Sequence, residues 1–410
     1  MTIVLMALAL AAMVASGLGI LYPYVGYPRM LRSAKRVFKS GERQDGPAPK
    51  ISAIVAAYNE ERVMAAKLDN LLEQEYAGEI EVIVASDASE DETDAIVKRY
   101  AEKGVRLHRR PERRGKSMAQ NAAVELATGD VLVFTDASVL LRPGAIAALM
   151  EQMRDPTVGA VTGEDVSTAA DDQDQSAGAG FYTRLEIKIR RREAENTGTL
   201  IGVSGCLFAV RKELRPPVPA DSVDDLYVPL YVVSQGYRVV AAEDAKAIVR
   251  RTANLDAEFA RKVRTFTGAL FTMRAIRKKV GRGGLAKVKT HLRWHKKMRW
   301  YGPFFALLAL VSNGVLVALH PAFAYLMMLQ MVVYVLGLTG VAAAVSDAEI
   351  ERRALISGKE PKKRRRGPIR KMQKFASFFL LVEAALVVAW LRYIFRKPFA
   401  TWTPTKRAEG

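Results

Sequence analysis

Cysteine is almost missing from this chain. Cys206 stands alone among 410 residues, so no disulfide can form within it. Histidine is nearly as scarce, and four scattered copies do not supply a zinc cage. Both shortages fit a domain that works in the cytosol. Acids are outnumbered, 43 against 62 bases, leaving a net charge of +19. So basic a chain raises nucleic acid as a partner. However, an aromatic-rich RNA-binding pattern and zinc-finger spacing are both lacking, and no nucleic-acid partner is expected. The basic excess gathers instead in Arg29 to Lys50, Arg274 to Arg299 and Lys359 to Lys374, the last containing Lys362-Lys363-Arg364-Arg365-Arg366. Each run borders an apolar segment, where Lys and Arg mark the cytoplasmic face and attract anionic membrane lipid.

Charge is absent from Ile3 to Tyr24, Pro303 to Leu319 and Ala322 to Val345, and Phe375 to Leu391 carries only Glu383. A membrane-crossing helix needs about 20 apolar residues. One N-terminal crossing and two or three C-terminal ones are therefore expected. The first segment has no basic leader and is longer than a signal-peptide core, which favours an uncleaved anchor. The expected division is an anchor over 1–26 and a cytosolic domain over 48–253. Amphipathic interfacial helices follow over 254–301, then a C-terminal transmembrane region over 302–394 with a basic loop at 347–374, and a basic tail over 395–410. This describes a multi-pass protein of the cytoplasmic membrane. The number of C-terminal crossings and the side of the C-terminus stay open, since four crossings would place the basic tail outside.

Between the apolar segments the chain alternates. Strand-like runs at Ile51–Ala57, Ile80–Ser86, Val105–Arg109 and Val131–Phe134 are followed by helix-like runs at Glu61–Gln74, Asp91–Lys103, Ser117–Ala127 and Pro143–Met153. Such alternation predicts an α/β domain with a mostly parallel sheet covered by helices on both faces. Ligands of such sheets bind beyond the carboxyl ends of the strands. The first strand ends in Tyr58-Asn59-Glu60 without the glycines of a dinucleotide fold. The second ends in Ser86-Asp87 and the fourth in Asp136-Ala137-Ser138. Arg113-Arg114-Gly115-Lys116-Ser117 resembles a phosphate-binding loop, but Arg110 stands where that motif needs its first glycine. Each residue also has a plain reading: Asp91 as a helix cap, Lys116 as a solvated lysine, Asp136 as a turn residue. Their order and shared edge argue for a site.

These motifs together resemble the family 2 glycosyltransferases, in the membrane-bound branch related to cellulose, chitin and hyaluronan synthases. The resemblance rests on "IVAAYNEE", "VIVASDASEDET", "RRGKSMAQNAA", "FTDAS" and "VDDLYVPLYVVSQGYRVV", in that order. It implies a GT-A-like domain that binds a nucleoside diphosphate sugar, most often a UDP-sugar. By carry-over, Tyr58, Glu60 and Asp87 hold base and ribose, and Lys116 lies near the diphosphate. Asp136 binds a divalent metal, Mg2+ or Mn2+. Ser138 replaces the family's second aspartate at this site, so weaker metal affinity is expected. Asp225 is the implied general base that takes the acceptor proton, with inversion at the sugar. Asp224 orients neighbours or binds acceptor.

Ser204 and Gly205, in "GVSGCLF", either allow close approach of a glycan or lipid-linked acceptor or simply form a tight turn into a strand. Where chain-extending synthases carry Gln-x-x-Arg-Trp, this chain has Arg261 to Thr265, keeping only Arg264. That leaves addition of a single sugar or a short oligomer open beside chain extension. The changes at Ser138 and Arg261 also motivate a second class, a pseudoenzyme that binds nucleotide sugar or a partner without turnover. Two local expectations complete the reading. Ser222 to Asp225 has capping-box spacing, but Pro229 would then fall inside the helix, so a start nearer Asp225 is expected. Residues 255–278 and 285–300 read as basic amphipathic helices on the membrane surface, with Trp294 and Trp300 at headgroup level.

Overall fold

Ile51–Ala57 is wholly apolar except for Ser52, and all seven residues are buried. A strand of this kind needs cover on both faces. In the computed structural model it is the inner strand β1, paired in parallel with β2 (Ile80–Ser86) and, on its other side, with β4 (Val131–Asp136). The structure describes residues 1–167, 177–249, 255–281, 283–356 and 367–399. The run Lys362-Lys363-Arg364-Arg365-Arg366 and residues 400–410 of the basic tail lie outside them.

The edge strand β3 (Val105–Arg109) joins β2 in parallel. Past β4 the direction changes. β7 (Leu207–Arg211) runs antiparallel to β4 and to β6 (Val158–Ser167), while β8 (Arg238–Val249) is parallel to β6 and pairs with the two-residue β5 (Leu140–Leu141). The order is β3-β2-β1-β4-β7-β6-β8-β5. The sheet is thus mixed, with its parallel half carrying the motifs.

Alternation along the strands sorts the core into two layers. On one face Ala53, Val55, Val82, Val84 and Val133 meet Met64, Leu68 and Leu71 of α2 (Glu61–Leu72), Ile96 and Val97 of α3 (Thr93–Arg99), and Ile146 and Leu149 of α5 (Ala145–Met153). On the other, Ile54, Ile83, Leu132 and Phe134 meet Ala119 and Ala123 of α4 (Lys116–Leu126), and α7 (Asp224–Ser234) covers them further. Pro143 precedes α5 instead of opening it; Gly144, in a left-handed conformation, occupies the N-cap. Between them, α6 (Ala177–Thr197) follows β6.

The second core layer does not stop at the domain. It continues through Leu270, Met273 and Ile276 of α8 (Leu255–Val280) to Leu386 and Ala389, which belong to a long apolar helix. The expected second amphipathic helix is instead a chain of short turns over 286–300, including a π-helical stretch at Leu292–Lys297. Trp300 is buried here, its carbonyl accepting the indole N–H of Trp390 at 2.7 Å, so it packs inward and does not lie at a surface. His295 places Nδ1 2.7 Å from Glu193 and Nε2 2.9 Å from Glu186, and the Tyr27 hydroxyl donates to Glu193 at 2.6 Å. These bonds bind the turns to α6 and to the short helix after α1 (Thr2–Leu21).

Among the described residues four helical segments are long and apolar enough to cross a membrane: Thr2–Leu21, Gly302–Leu319, Pro321–Asp347 and Pro368–Ile394. The last three fall in α9 (Gly302–Leu319), in the turn Pro321–Phe323 with α10 (Ala324–Ile356), and in α11 (Pro368–Ile394). Leu8, Leu18, Leu307, Val311, Leu329, Leu338 and Leu391 point outward and are exposed, which suits lipid and not water.

The plain reading of Asp91 holds in part: Glu60 and Glu92 are the N-cap residues, and Asp91 serves both helix starts from outside them. Asp91 accepts the Thr93 N–H at 3.0 Å and the Thr93 hydroxyl at 2.5 Å, while its other oxygen accepts the Glu61 N–H at 3.1 Å. A single carboxylate thereby caps the starts of α3 and α2. Asp91→Ala should cost about 1–2 kcal/mol, read as a lowered melting temperature of the purified protein. An unchanged melting curve would show that the caps are dispensable.

Candidate active site

Parallel register brings the motifs together. Ala57 faces Ser86 and Ala56 faces Asp136 across neighbouring strands, so Tyr58, Asp87 and Asp136 leave the sheet at one edge. Tyr58 carries the Arg113 guanidinium over its ring at 3.7 Å. Glu60 is fixed by its backbone N–H, which donates to the Thr93 hydroxyl at 2.8 Å. Asp87 is buried and its carboxylate accepts the N–H groups of Arg114 at 2.9 Å and Gly115 at 2.6 Å. Gly115 has φ 91°, a conformation that glycine reaches without strain, and α4 begins at the next residue. Asp87 therefore sets the loop from which Lys116 projects.

Lys116 reaches into a nest of oxygens. Its Nζ lies 2.8 Å from Asp136 Oδ1, 3.7 Å from Asp224 Oδ2 and 3.3 Å from the Gly205 carbonyl. Burial works against its charge, but Asp136 and then Asp224 outweigh burial, and its pKa is driven up. Asp224 opens α7 and accepts the Asp225 N–H at 3.0 Å. The Asp225 carboxyl is pushed up to about 6, by burial first and by Asp224 next, against the opposing pull of Lys116. The Ser222 side chain does not cap this helix. Val223 is the N-cap residue, and Ser222 donates to Asp221 at 3.3 Å.

Pro229 lies inside α7, contrary to expectation. Having no N–H, it cannot bond the carbonyl four residues back, which is that of Asp225. That carbonyl accepts the Val203 N–H at 2.9 Å instead. The freed acceptor thus clamps the 202–205 loop against the helix start. A methyl group on Gly205 would stand 3.5 Å from Asp225 Oδ2, so the glycine keeps the space before the carboxylate clear. Ser204 is spent within the protein. Its N–H donates to Thr162 at 2.7 Å, and its hydroxyl donates to Asp165 at 2.5 Å and accepts the Cys206 N–H at 3.0 Å.

Arg261 makes a two-pronged bond to Glu258 at 2.9 and 2.7 Å. Arg264, one turn on, is lowered in pKa by burial and by Arg261 while Asp136 pulls it up, which puts it within electrostatic reach of the strand-end carboxylate. Ser138 is half-buried in the turn that Val139 closes by donating its N–H to the Asp136 carbonyl at 3.2 Å. Among the described residues no group of three or more His, Cys, Asp or Glu is placed to hold a metal. Asp136 with Ser138 offers one carboxylate and one hydroxyl. That set fits a hard cation that completes its shell with phosphate oxygens and water, and does not fit a metal caged by protein alone.

A family model described as glycosyl transferase family 2 matches residues 52–215. An N-acetylglucosaminyltransferase of Rhizobium meliloti (strain 1021) is 31% identical over 215 residues, which is 48% of this chain and 50% of that protein. An N-acetylglucosaminyltransferase of Bradyrhizobium elkanii is 32% identical over 124 residues, 29% of this chain and 68% of that protein. Several other curated relatives are matched over about half of their length or less. Among solved structures, a mannosyltransferase from Pyrobaculum calidifontis, in complex with GDP-Man and Mn2+, shares the fold. Its TM-score is 0.66 at 24% identity, over 96% of this chain and 99% of that one.

One residue of the site escaped the motifs. Lys67 is fully buried beneath the edge, donating to the Thr135 hydroxyl at 2.9 Å and the Val139 carbonyl at 2.6 Å, on either side of Asp136. Its signal was a lysine at i+3 from Met64 and i−4 from Leu71, inside the apolar stripe of α2. Burial lowers its pKa from 10.5 to about 7, with Asp136 pulling the other way. Between those values the folded state binds fewer protons than the unfolded one, so this group makes stability rise with pH across that window. Lys67→Met should flatten the rise in melting temperature from pH 7 to pH 10. An equal slope in both proteins would remove Lys67 as its source.

Proposed function

The chain is a member of glycosyl transferase family 2, and from that premise we propose that it moves a sugar, with inversion, from a nucleoside diphosphate donor to an acceptor hydroxyl at the membrane. The observation that carries this reading is the convergence of Lys116, Asp136, Asp224 and Asp225, brought from three separate stretches of chain to one edge. UDP-N-acetylglucosamine is the first donor to supply, because the curated relatives bear the name of that sugar's transferases.

The donor's base and ribose lie over Tyr58, Glu60 and Asp87. Each Asp87 oxygen that holds a loop amide retains a second lone pair for a base N–H. The diphosphate sits before Lys116, whose ammonium turns from Asp136 toward the phosphate oxygens and steadies the charge that builds on the leaving group. A divalent cation, Mg2+ or Mn2+, would be held by Asp136 with Ser138 and would neutralise phosphate charge. Asp225 faces the acceptor across the gap kept open by Gly205. It accepts the hydroxyl proton as that oxygen attacks the anomeric carbon from the side opposite the phosphate. Asp224 holds the Asp225 backbone and keeps its carboxyl raised toward neutrality, where a base has both vacancy and strength. Arg261 and Arg264 flank the acceptor side. The membrane is the cytoplasmic one, with the domain on the cytosolic face where the basic runs lie.

Asp225→Asn should lower turnover by about 10²–10⁴-fold while donor affinity, measured by calorimetry, stays within error. In the parent protein kcat/KM should fall as pH drops through about 6, and the variant should lack that limb. Equal turnover in the two proteins would take the base role from Asp225. Asp136→Ala should weaken donor binding in the presence of Mn2+ and leave metal-free donor binding much less affected. Metal-dependent affinity that survives the change would place the cation elsewhere.

A further inference from the structure

α8 ends at Val280 and the chain returns through the turns at 286–300. Between the two opens a cavity of about 680 Å³. Arg277 lines it from α8, while Lys289, Arg293 and Lys297 line it from the returning segment at four-residue intervals, which places them in one row. Leu292 and Tyr301 give it apolar walls, and no acid is among its lining residues. Among the described residues none of these four cations meets a carboxylate. Lys297 is half-buried, and burial, then Arg277, Arg293 and Lys289, lower its pKa, so the three others face it. Four positive charges are thus gathered without a counter-charge, an arrangement that an anion would relieve.

Position identifies the anion. Tyr301 directly precedes α9 and stacks on Trp390 at 5.3 Å between ring centres, and Phe304 meets the same indole edge-on. Trp294 packs on Tyr22, just past the end of α1, at 4.7 Å. These rings gather at the ends of the apolar helices nearest the domain, as aromatic residues do where hydrocarbon gives way to headgroups. The cavity opens beside that level. We propose that it binds the phosphate headgroup of an anionic membrane phospholipid, with the acyl chains lying along α9. Its lining includes none of the residues of the transfer site, and Arg277 lies about 24 Å beyond Arg261 along α8 at a rise of ~1.5 Å per residue; Lys296, which does act on Asp225, is not among the lining residues. The proposal therefore does not depend on the reaction.

The test uses the full chain in neutral detergent, with short-chain phosphatidylglycerol and phosphatidylcholine titrated separately and bound lipid counted by native mass spectrometry. Phosphatidylglycerol should bind and phosphatidylcholine should not. Lys289→Gln combined with Arg293→Gln, both exposed and away from the transfer site, should weaken phosphatidylglycerol binding roughly ten- to thirtyfold. UDP affinity and melting temperature should be unchanged, which separates this result from any failure of the transferase reading. Equal binding of the two lipids, or undiminished phosphatidylglycerol binding by the variant, would overturn the proposal. Displacement of phosphatidylglycerol by inorganic phosphate at matched concentration would assign the cavity to a soluble anion and overturn it likewise.

Discussion

Asp136 ends a strand and Asp224 begins a helix far later in the chain, and two carboxylates brought so near would repel unless a cation stood between them. Lys116 is that cation. The rest of the edge follows from its position. Asp87 fixes the loop that launches it, Gly115 turns the backbone so that α4 can begin at the lysine itself, and the Gly205 carbonyl takes up a further direction of its ammonium. Asp225, adjacent to one of the paired acids, is raised by burial and then by Asp224, which outweigh the pull of Lys116, Lys296 and Arg190. One lysine thus divides three similar acids into two that share its ammonium and one whose carboxyl is raised.

A proline inside a helix is ordinarily a loss, and here the loss is put to use. The carbonyl that Pro229 cannot bond belongs to Asp225, and the Val203 N–H fills the vacancy. The 202–205 loop is thereby registered to the carboxyl it faces. Ser204 completes the arrangement by tying the same loop to β6 through Thr162 and Asp165. Small residues in this loop serve the site by leaving space, while its polar groups are consumed in holding the loop still.

The parallel half of the sheet was legible because its strands are short apolar runs and each ends in a polar motif, so register alone predicts a shared edge. The helices there begin and end within a few residues of expectation. Legibility fades in the second half for physical reasons. β8 carries Glu243, Asp244 and Lys246 on exposed or partly exposed positions, and β5 has only two residues, too few to show a period. Lys67 was invisible to motif reading because its role comes from burial, which only the fold supplies. Pro229 was misjudged because the bond that compensates for it comes from a distant loop. The amphipathic spacing over 285–300 is real, but tertiary packing broke it into turns and drew Trp300 inward.

The core layer that passes from the sheet through α8 to Leu386 and Ala389 has a mechanical corollary. One continuous apolar seam joins the domain to a bilayer-length helix, and the Trp390 indole donates to the Trp300 carbonyl, so a displacement of either is passed to the other.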